Sequence, residues 1–333
     1  MHIYNPLLAK LKKGFYIKYC LSRNILESSI LGYSCAGKTL FIHGFPRDED
    51  LNQISPASFL KRVATSFDGI LGTTGLYIGA LFDKFTNKIS IFCDPHAAGL
   101  LYWYVDENNI LISDNLDWIV NHCGKKLHID SMAWSELLSI HSVLGNRTYF
   151  EEIKCVELQQ IVTFDLNAKK VHYDNRRWYL YSKTSTDNKK TLYSDIAYLF
   201  HEGITKYAKH YRKINLALSG GLDSRMVLSS FVRNGVEVSS YTTDTDIGFG
   251  NDMLFAAQSA KEYGVSNQYL ELDQDWYEDT VDLYYKQTNF ESWYHVWFYG
   301  FLKNIPNLKN RILFTGIDGD GLLRASHIPV PSE

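Results

Sequence analysis

Seven residues, Ser219-Gly220-Gly221-Leu222-Asp223-Ser224-Arg225, hold the sequence's clearest chemistry. Two glycines let an anion approach the backbone with no Cβ in the way. Ser219 and Ser224 add hydroxyl donors. Backbone N–H groups gathered by such a turn suit a phosphate chain. Asp223 would repel a bare phosphate, so its presence implies a divalent cation bridging carboxylate and phosphates. The pattern is not the Gly-Lys-Ser/Thr loop of the common NTPases. Ser-Gly-Gly alone also reads as an ordinary capped turn. The full seven residues, between an apolar run and a helical pattern, favour the phosphate reading.

The flanking elements decide where those groups point. Ile214-Asn215-Leu216-Ala217-Leu218 reads as a buried strand running into the loop, and a helix over 222–233 follows at once. A long helix over 191–209 precedes them. Strand 237–241, helix 251–263, strand 268–272, helical stretches near 276–288 and 293–302, and strand 311–315 come after. Strands alternating with helices predict a parallel sheet with helices on its faces. Ligands of such sheets bind at the carboxyl ends of the strands. The Ser219 loop is one such end. Tyr241-Thr242-Thr243-Asp244 is a second, and Gly316-Ile317-Asp318-Gly319-Asp320-Gly321 a third.

The first half has another rhythm. Short β-rich runs at 15–19, 39–43, 76–82, 89–93, 100–104 and 110–113 are separated by turn residues. Short helices follow Ser113 and Asp130, and 161–164 with 170–173 reads as a hairpin. This predicts an α+β domain of antiparallel sheets over residues 1–181. The polar stretch 182–190 reads as a linker, and 191–333 as the α/β domain.

The chain has 333 residues, enough for two domains, with 45% hydrophobic and 21% charged residues. Its formal net charge of −3 offers no basic field for nucleic acid. The five cysteines show no zinc or Cys-x-x-Cys spacing. No apolar run has the length of a membrane span, and Met1-His2-Ile3-Tyr4-Asn5 lacks a signal-peptide shape. The expectation is a cytoplasmic protein with no nucleic-acid or membrane partner, and with a homodimer left open.

The seven-residue loop resembles the pyrophosphate loop of the ATP pyrophosphatases, which cleave ATP to AMP and pyrophosphate and use the AMP to activate an acid. Thr315-Gly316-Ile317-Asp318-Gly319-Asp320 resembles the second nucleotide-site motif of the asparagine synthetase family, Gly-x-Gly-x-Asp or Gly-x-x-Gly-Asp. Asn251-Asp252, followed by Ala256, Ala257 and Ala260, looks like the family's Asp-x-x-x-Ala helix. The resemblance implies that Asp223 and Asp320 share a magnesium ion and carry the catalysis. It further implies that ATP lies against Ser219, Gly220, Gly221, Ser224 and Gly316, with the backbone of Tyr241 and Thr242 on the adenine side. The first half resembles, more weakly, the family's Ntn-type glutamine amidotransferase domain. Asp83, Asp94, Tyr102, Ser113 and the segment Arg147–Ile153 carry that likeness.

Departures shape the expected activity. Glutamine-hydrolysing members expose an N-terminal Cys as nucleophile, whereas residue 2 here is His2 and the nearest cysteine is Cys20. Where the family segment has Arg, Gly and Pro, this chain has Pro95, Ala97 and Leu100. The family's Pro-Gly turn is replaced by Leu158-Gln159-Gln160. The first domain is therefore expected to be degenerate, as in β-lactam synthetases and lasso-peptide cyclases. The chain ends at Glu333, soon after Asp320, where family members continue into a helical region with a catalytic Lys. An incomplete second domain is the expectation. The activity implied is ATP-dependent amide formation without glutamine hydrolysis, on a small-molecule acid or a precursor peptide. The alternative is a non-catalytic nucleotide-binding or scaffold remnant. An RNA-modifying pyrophosphatase is disfavoured by the charge and the lack of paired cysteines.

Other features favour plain structural roles. His141, His201, His210 and His295 have no metal-ligand spacing. Trp293, Tyr294, Trp297, Phe298 and Tyr299 have helical spacing and read as core or interface. Lys10, Lys12 and Lys13 read as a solvated face.

Overall fold

This computed structural model describes residues 3–4, 16–20, 25–176, 189–243, 251–272, 275–289, 296–308 and 311–317. Asp320, Asp244, His295 and most of the stretch 182–190 lie outside the described residues. The chain divides into two compact units. One comprises residues 11–183 and 285–294; the other comprises 1–10, 184–284 and 295–333.

A short strand, β1 (Ile3–Tyr4), belongs to the sheet of the second unit. The first unit is built on two sheets whose strand pairs are antiparallel throughout the described residues. Strands β2 (Tyr16–Cys20), β3 (Ile25–Ser28), β8 (Tyr102–Val105), β9 (Asn109–Ser113) and β10 (Ile153–Cys155) form one sheet in the order β10-β8-β9-β2-β3. The other runs β12-β11-β7-β6-β5-β4. Its strands are β4 (Gly32–Cys35), β5 (Lys38–Gly44), β6 (Tyr77–Asp83), β7 (Lys88–Cys93), β11 (Gln160–Asp165) and β12 (Lys170–Asn175).

Alternation along these strands feeds separate cores. Ile17, Ile110 and Ile112 from one sheet meet Ile78, Ile89, Ile91 and Val162 from the other. The opposite face of the larger sheet, with Leu40, Leu81 and Phe92, is covered by Phe59, Leu60 and Val63 of α1 (Pro56–Thr65). The opposite face of the smaller sheet is covered by α2 (Leu116–His122) and α3 (Ser131–Ile140) through Leu116, Ile119 and Leu137. Four layers result, helix–sheet–sheet–helix. Asn289 is part of this unit: its Oδ1 accepts from Leu116 N (2.9 Å) and its Nδ2 donates to Asp114 O (3.1 Å).

Ala97 and Gln159 are two of nine described non-glycine residues in left-handed backbone. Ala97 has φ +48° and Gln159 has φ +58°. At both, an L side chain sits in a conformation that favours glycine.

The second unit alternates strand and helix. It contains α4 (Lys189–His210), β13 (Lys213–Ala217), α5 (Leu222–Arg233), β14 (Glu237–Thr242), α6 (Asn251–Glu262) and β15 (Ser266–Tyr269). α7 (Trp276–Gln287), α8 (Val296–Asn304) and β16 (Leu313–Phe314) follow. The sheet order is β1-β16-β13-β14-β15. The last four are parallel, and β1 is an antiparallel edge strand. One face packs Ile214, Leu216 and Phe314 under α4, α5 and α6 through Ile204, Val227, Phe231 and Ala260. The other packs Tyr241 and Leu313 under Phe301 and Leu302 of α8. This is the antiparallel α+β unit and parallel α/β unit that the sequence predicts.

Candidate functional site

Strand β13 aims the loop. Ile214 and Leu216 anchor one face of the strand in the core. Leu218 N then donates to Tyr241 O (2.9 Å), and the chain leaves the sheet at Ser219. Helix α5 starts at Leu222, with Gly221 as its N-cap in extended backbone (φ −66°, ψ 154°) and no side-chain capping bond. The first turn of a helix carries N–H groups with no partner inside the helix. A Ser or Asp at the cap would absorb one of them, and Gly221 does not. The positive helix end therefore faces the loop uncapped.

The loop upstream of the helix closes on itself. Ser219 N donates to Ser224 Oγ (3.1 Å), and the two seryl oxygens lie 3.0 Å apart. Gly221 N donates to Ser219 Oγ (3.2 Å). Gly220 N donates to Asp252 Oδ1 (3.1 Å), a carboxylate in the first turn of α6. Arg225 Nε donates to Gly221 O (3.2 Å). Asp223 is half-buried in the first turn of α5.

Both glycine requirements are about space. A Cβ on Gly220 would meet Asp252 Oδ1 at 2.7 Å and Phe255 Cβ at 3.1 Å. A Cβ on Gly316 would meet Ser224 N at 2.5 Å and Asp223 C at 3.0 Å. The backbone after β16 thus lies directly on the start of α5.

The structure brings Ser219, Gly220, Gly221, Asp223, Ser224 and Gly316 together. Tyr241 and Thr242 sit on the neighbouring strand, with their side chains drawn inward. Tyr241 packs with Leu270, Phe301 and Leu313. Thr242 Oγ1 lies 2.8 Å from Leu218 O and 3.1 Å from Asn267 Oδ1. Their carbonyls accept from Leu218 N (2.9 Å) and Leu270 N (2.8 Å). The described part of the site presents two carboxylates, Asp223 and Asp252. Among the described residues no group of three His, Cys, Asp or Glu side chains is placed to hold a metal ion. The bond from Gly220 to Asp252 is the contact that sequence reasoning missed. Its signal was the small-residue spacing Ala256 and Ala260, both buried, which lets α6 approach the sheet closely.

Residues 196–324 match the family model described as Asparagine synthase. That segment is an asparagine synthase domain. It contains the whole loop, Asp252 and Gly316. The likeness to individual solved structures is low. An NH3-dependent NAD synthetase from Campylobacter jejuni is 20% identical, over 40% of this chain and 60% of that one, with a TM-score of 0.29. A glutamine-dependent NAD+ synthetase from Acinetobacter baumannii, in complex with ADP, is 20% identical over 37% and 22%, with a TM-score of 0.25. Glutamine phosphoribosylpyrophosphate amidotransferase from B. subtilis is 7% identical over 72% and 63%, with a TM-score of 0.27. The chain therefore spans less than two thirds of each of these three. No curated protein matches it significantly.

Outside the asparagine synthase domain, the sequence-flagged residues of the first unit hold backbone. Asp94 accepts from His96 N (3.0 Å), Ala98 N (3.3 Å) and Gly99 N (3.0 Å). Burial nevertheless pushes its carboxyl above the ordinary range, against those three bonds. Asp83 accepts from Phe85 N and Thr86 N in the β6–β7 turn. Ser113 Oγ accepts from Asn115 N (2.8 Å), and Asn115 caps α2 by accepting from Trp118 N (2.7 Å). Tyr102 is fully buried in the helix-covered core. No helix among the described residues is long and apolar enough to cross a membrane.

Proposed function

We propose that this chain binds ATP with magnesium at the Ser219 loop and belongs to an AMP-forming ligase that activates a carboxylate and passes the acyl group to an amine. The observation that carries this reading is the uncapped start of α5 at a strand end, with Gly316 packed onto it. The residues fit a phosphate chain. First-turn N–H groups lack a side-chain cap, two seryl hydroxyls flank them, and no Cβ obstructs the loop. Asp223 and Asp320 would hold the cation. When bound, ATP supplies the phosphorus that the carboxylate attacks, and magnesium offsets the charge on departing pyrophosphate. The chain's own part is to fix the phosphates in line and to aim dipoles where charge develops. The acid is a small molecule or a precursor peptide.

A second reading, a nucleotide-binding protein without turnover, draws support from the loop itself. The N–H groups of Ser219, Gly220 and Gly221 all have acceptors within the protein. Calorimetric titration with ATP and magnesium tests the binding site common to both readings. ATP–pyrophosphate exchange in the presence of candidate acids separates them. Binding without exchange across acids and peptides would favour the second, and absence of ATP binding would remove both.

A further inference from the structure

We propose that Asp252 is a charge gate on the nucleotide loop, making it accept phosphate chains as complexes with a divalent cation and reject them bare. This rests on the nucleotide-site reading above. Asp252 stands in the first turn of α6, exposed, with Oδ1 3.1 Å from Gly220 N. An anionic oxygen bonded to a backbone N–H of a Gly-Gly loop occupies the kind of position a phosphate oxygen would take. The approach is tight as well: a Cβ on Gly220 would lie 2.7 Å from that same oxygen.

Two consequences follow from the charge. With Asp223 in the first turn of α5, the loop carries carboxylates from two helices. Arg225, the nearby cation in the sequence, is engaged with the carbonyl of Gly221 (3.2 Å). Metal-free pyrophosphate carries several negative charges, and at contact distance like charges repel it from the loop. A bound divalent cation reverses that local field. Asp252 therefore adds selectivity on top of the metal ligation assigned to Asp223. It costs the loop more affinity for free phosphate than for the metal complex.

A purely structural Asp252 predicts something different. If the carboxylate only steadies Gly220, then Asp252→Asn, which keeps an acceptor oxygen of the same size, leaves phosphate binding unchanged. Asp252→Ser, with a shorter side chain, then weakens it. A gate predicts a gain of binding in both variants, and a loss of packing does not produce such a gain.

The test uses inorganic pyrophosphate as the probe and the full chain as the protein. Binding is measured by titration calorimetry in EDTA and again in excess magnesium at matched ionic strength. Circular dichroism checks that each variant is folded. Wild type is expected to bind in magnesium and to show little binding in EDTA. Asp252→Asn should raise the EDTA affinity tenfold or more and shrink the ratio of magnesium to EDTA affinities. Asp252→Ser should move the same way, so the outcome does not hang on one variant. Normal magnesium-dependent binding by wild type, with no gain in EDTA for either variant, overturns the gate alone. No binding by any of the three proteins in magnesium overturns the nucleotide-site reading and the gate with it.

Discussion

Gly316 lies so close to the start of α5 that a Cβ on it would come within 2.5 Å of the backbone nitrogen of Ser224. The obstacle is backbone, which cannot swing aside as a side chain would. Gly316→Ala must push the end of β16 or the first turn of α5 out of place. Overpacking of this kind costs about 1–3 kcal/mol. It also shifts the N–H groups proposed to hold phosphate, so ATP affinity should fall with stability. Gly203→Ala is the control. Gly203 is exposed within α4, and a Cβ there meets nothing within 4 Å. That change should leave nucleotide binding alone and stabilise the helix by roughly 0.5–1 kcal/mol. Urea melts and ATP calorimetry on both variants check the contrast.

Asp223→Ala should abolish magnesium-dependent ATP binding. Asp223 sits half-buried where the helix begins, beside an uncapped row of N–H donors. Removing the carboxylate removes a cation ligand and leaves the fold's apolar contacts untouched. The loss should exceed tenfold, or about 1.4 kcal/mol. An ATP affinity in magnesium equal to that of wild type would sink the assignment.

The strand–loop–helix unit was legible because local signals and burial agree there. Strand 214–218 and helix 222–233 were expected, and 213–217 and 222–233 are found. Elements at sheet edges were harder, because periodicity reports burial and edges are only partly buried. Leu270 and Leu272 drew the predicted strand to 268–272. The strand is Ser266–Tyr269, a polar edge, and Leu270 turns into the core just after it. β4 is exposed along its whole length and left no apolar trace. α1 went unnoticed although Ser55 accepts from Ser58 N and Pro56 opens the helix, a pair of start signals present in the sequence. The contact of Asp252 with Gly220 joins residues 32 apart, the loop after β13 and the first turn of α6; the spacing of Ala256 and Ala260 signals that α6 lies close to the sheet and leaves the partner of Asp252 unspecified.

Ala97 and Gln159 invite substitution by glycine. At φ +48° and +58° an L side chain crowds its own carbonyl, at a cost of roughly 1–2 kcal/mol per residue. Ala97→Gly should stabilise the first unit by about 1 kcal/mol, less the greater entropy of glycine in the unfolded chain. Gln159→Gly should gain similarly, since the backbone bond from Arg176 N to Gln159 O (2.7 Å) does not need the side chain. Thermal melts decide it, and a lower melting temperature in both variants would show that these turns carry no strain.

A row of alternating charge crosses the larger sheet, and it fixes how the first unit responds to acid. Lys38, Asp83, Lys88, Asp165 and Lys170 are successive cross-strand partners on β5, β6, β7, β11 and β12. Burial alone would raise the Asp83 carboxyl, but the N–H groups of Thr86 and Phe85 and the Lys38 ammonium outweigh it and hold it below the usual range. The Ala168 N–H and Lys88 do the same for Asp165, against a smaller burial effect. A carboxylate with a depressed folded pKa gives stability that is present above its unfolded value, about 3.9, and is lost as pH falls through the folded value. Asp83→Asn and Asp165→Asn should therefore be less stable than wild type at neutral pH. The difference should shrink as pH falls below about 3.9 and close once the folded-state carboxyls are protonated too. A difference that does not shrink at all between pH 7 and the acid-unfolding region would show that charge is not the cause.

Asn215 is the least expected residue in the core. It occupies the central strand β13, in register with Leu313 on one side and Ser239 on the other, and is fully buried. Its neighbours Ile214 and Leu216 face the helices α4, α5 and α6, so its own side chain belongs to the opposite face, with Ala217 and Leu313. Neither Oδ1 nor Nδ2 has a hydrogen-bond partner among the described residues. A buried polar group without a partner costs about 1–3 kcal/mol, and replacing it with an apolar group of like shape removes that cost. Asn215→Leu keeps the branched shape but is bulkier, so overpacking should offset part of that gain. The backbone bond from Asn215 N to Ile312 O (2.9 Å) is unaffected by the change. Urea unfolding of wild type and variant gives the answer. Destabilisation of both Asn215→Leu and the smaller Asn215→Val, with an unchanged slope against urea, would mean that the amide is satisfied in solution, with buried water as the first partner to look for.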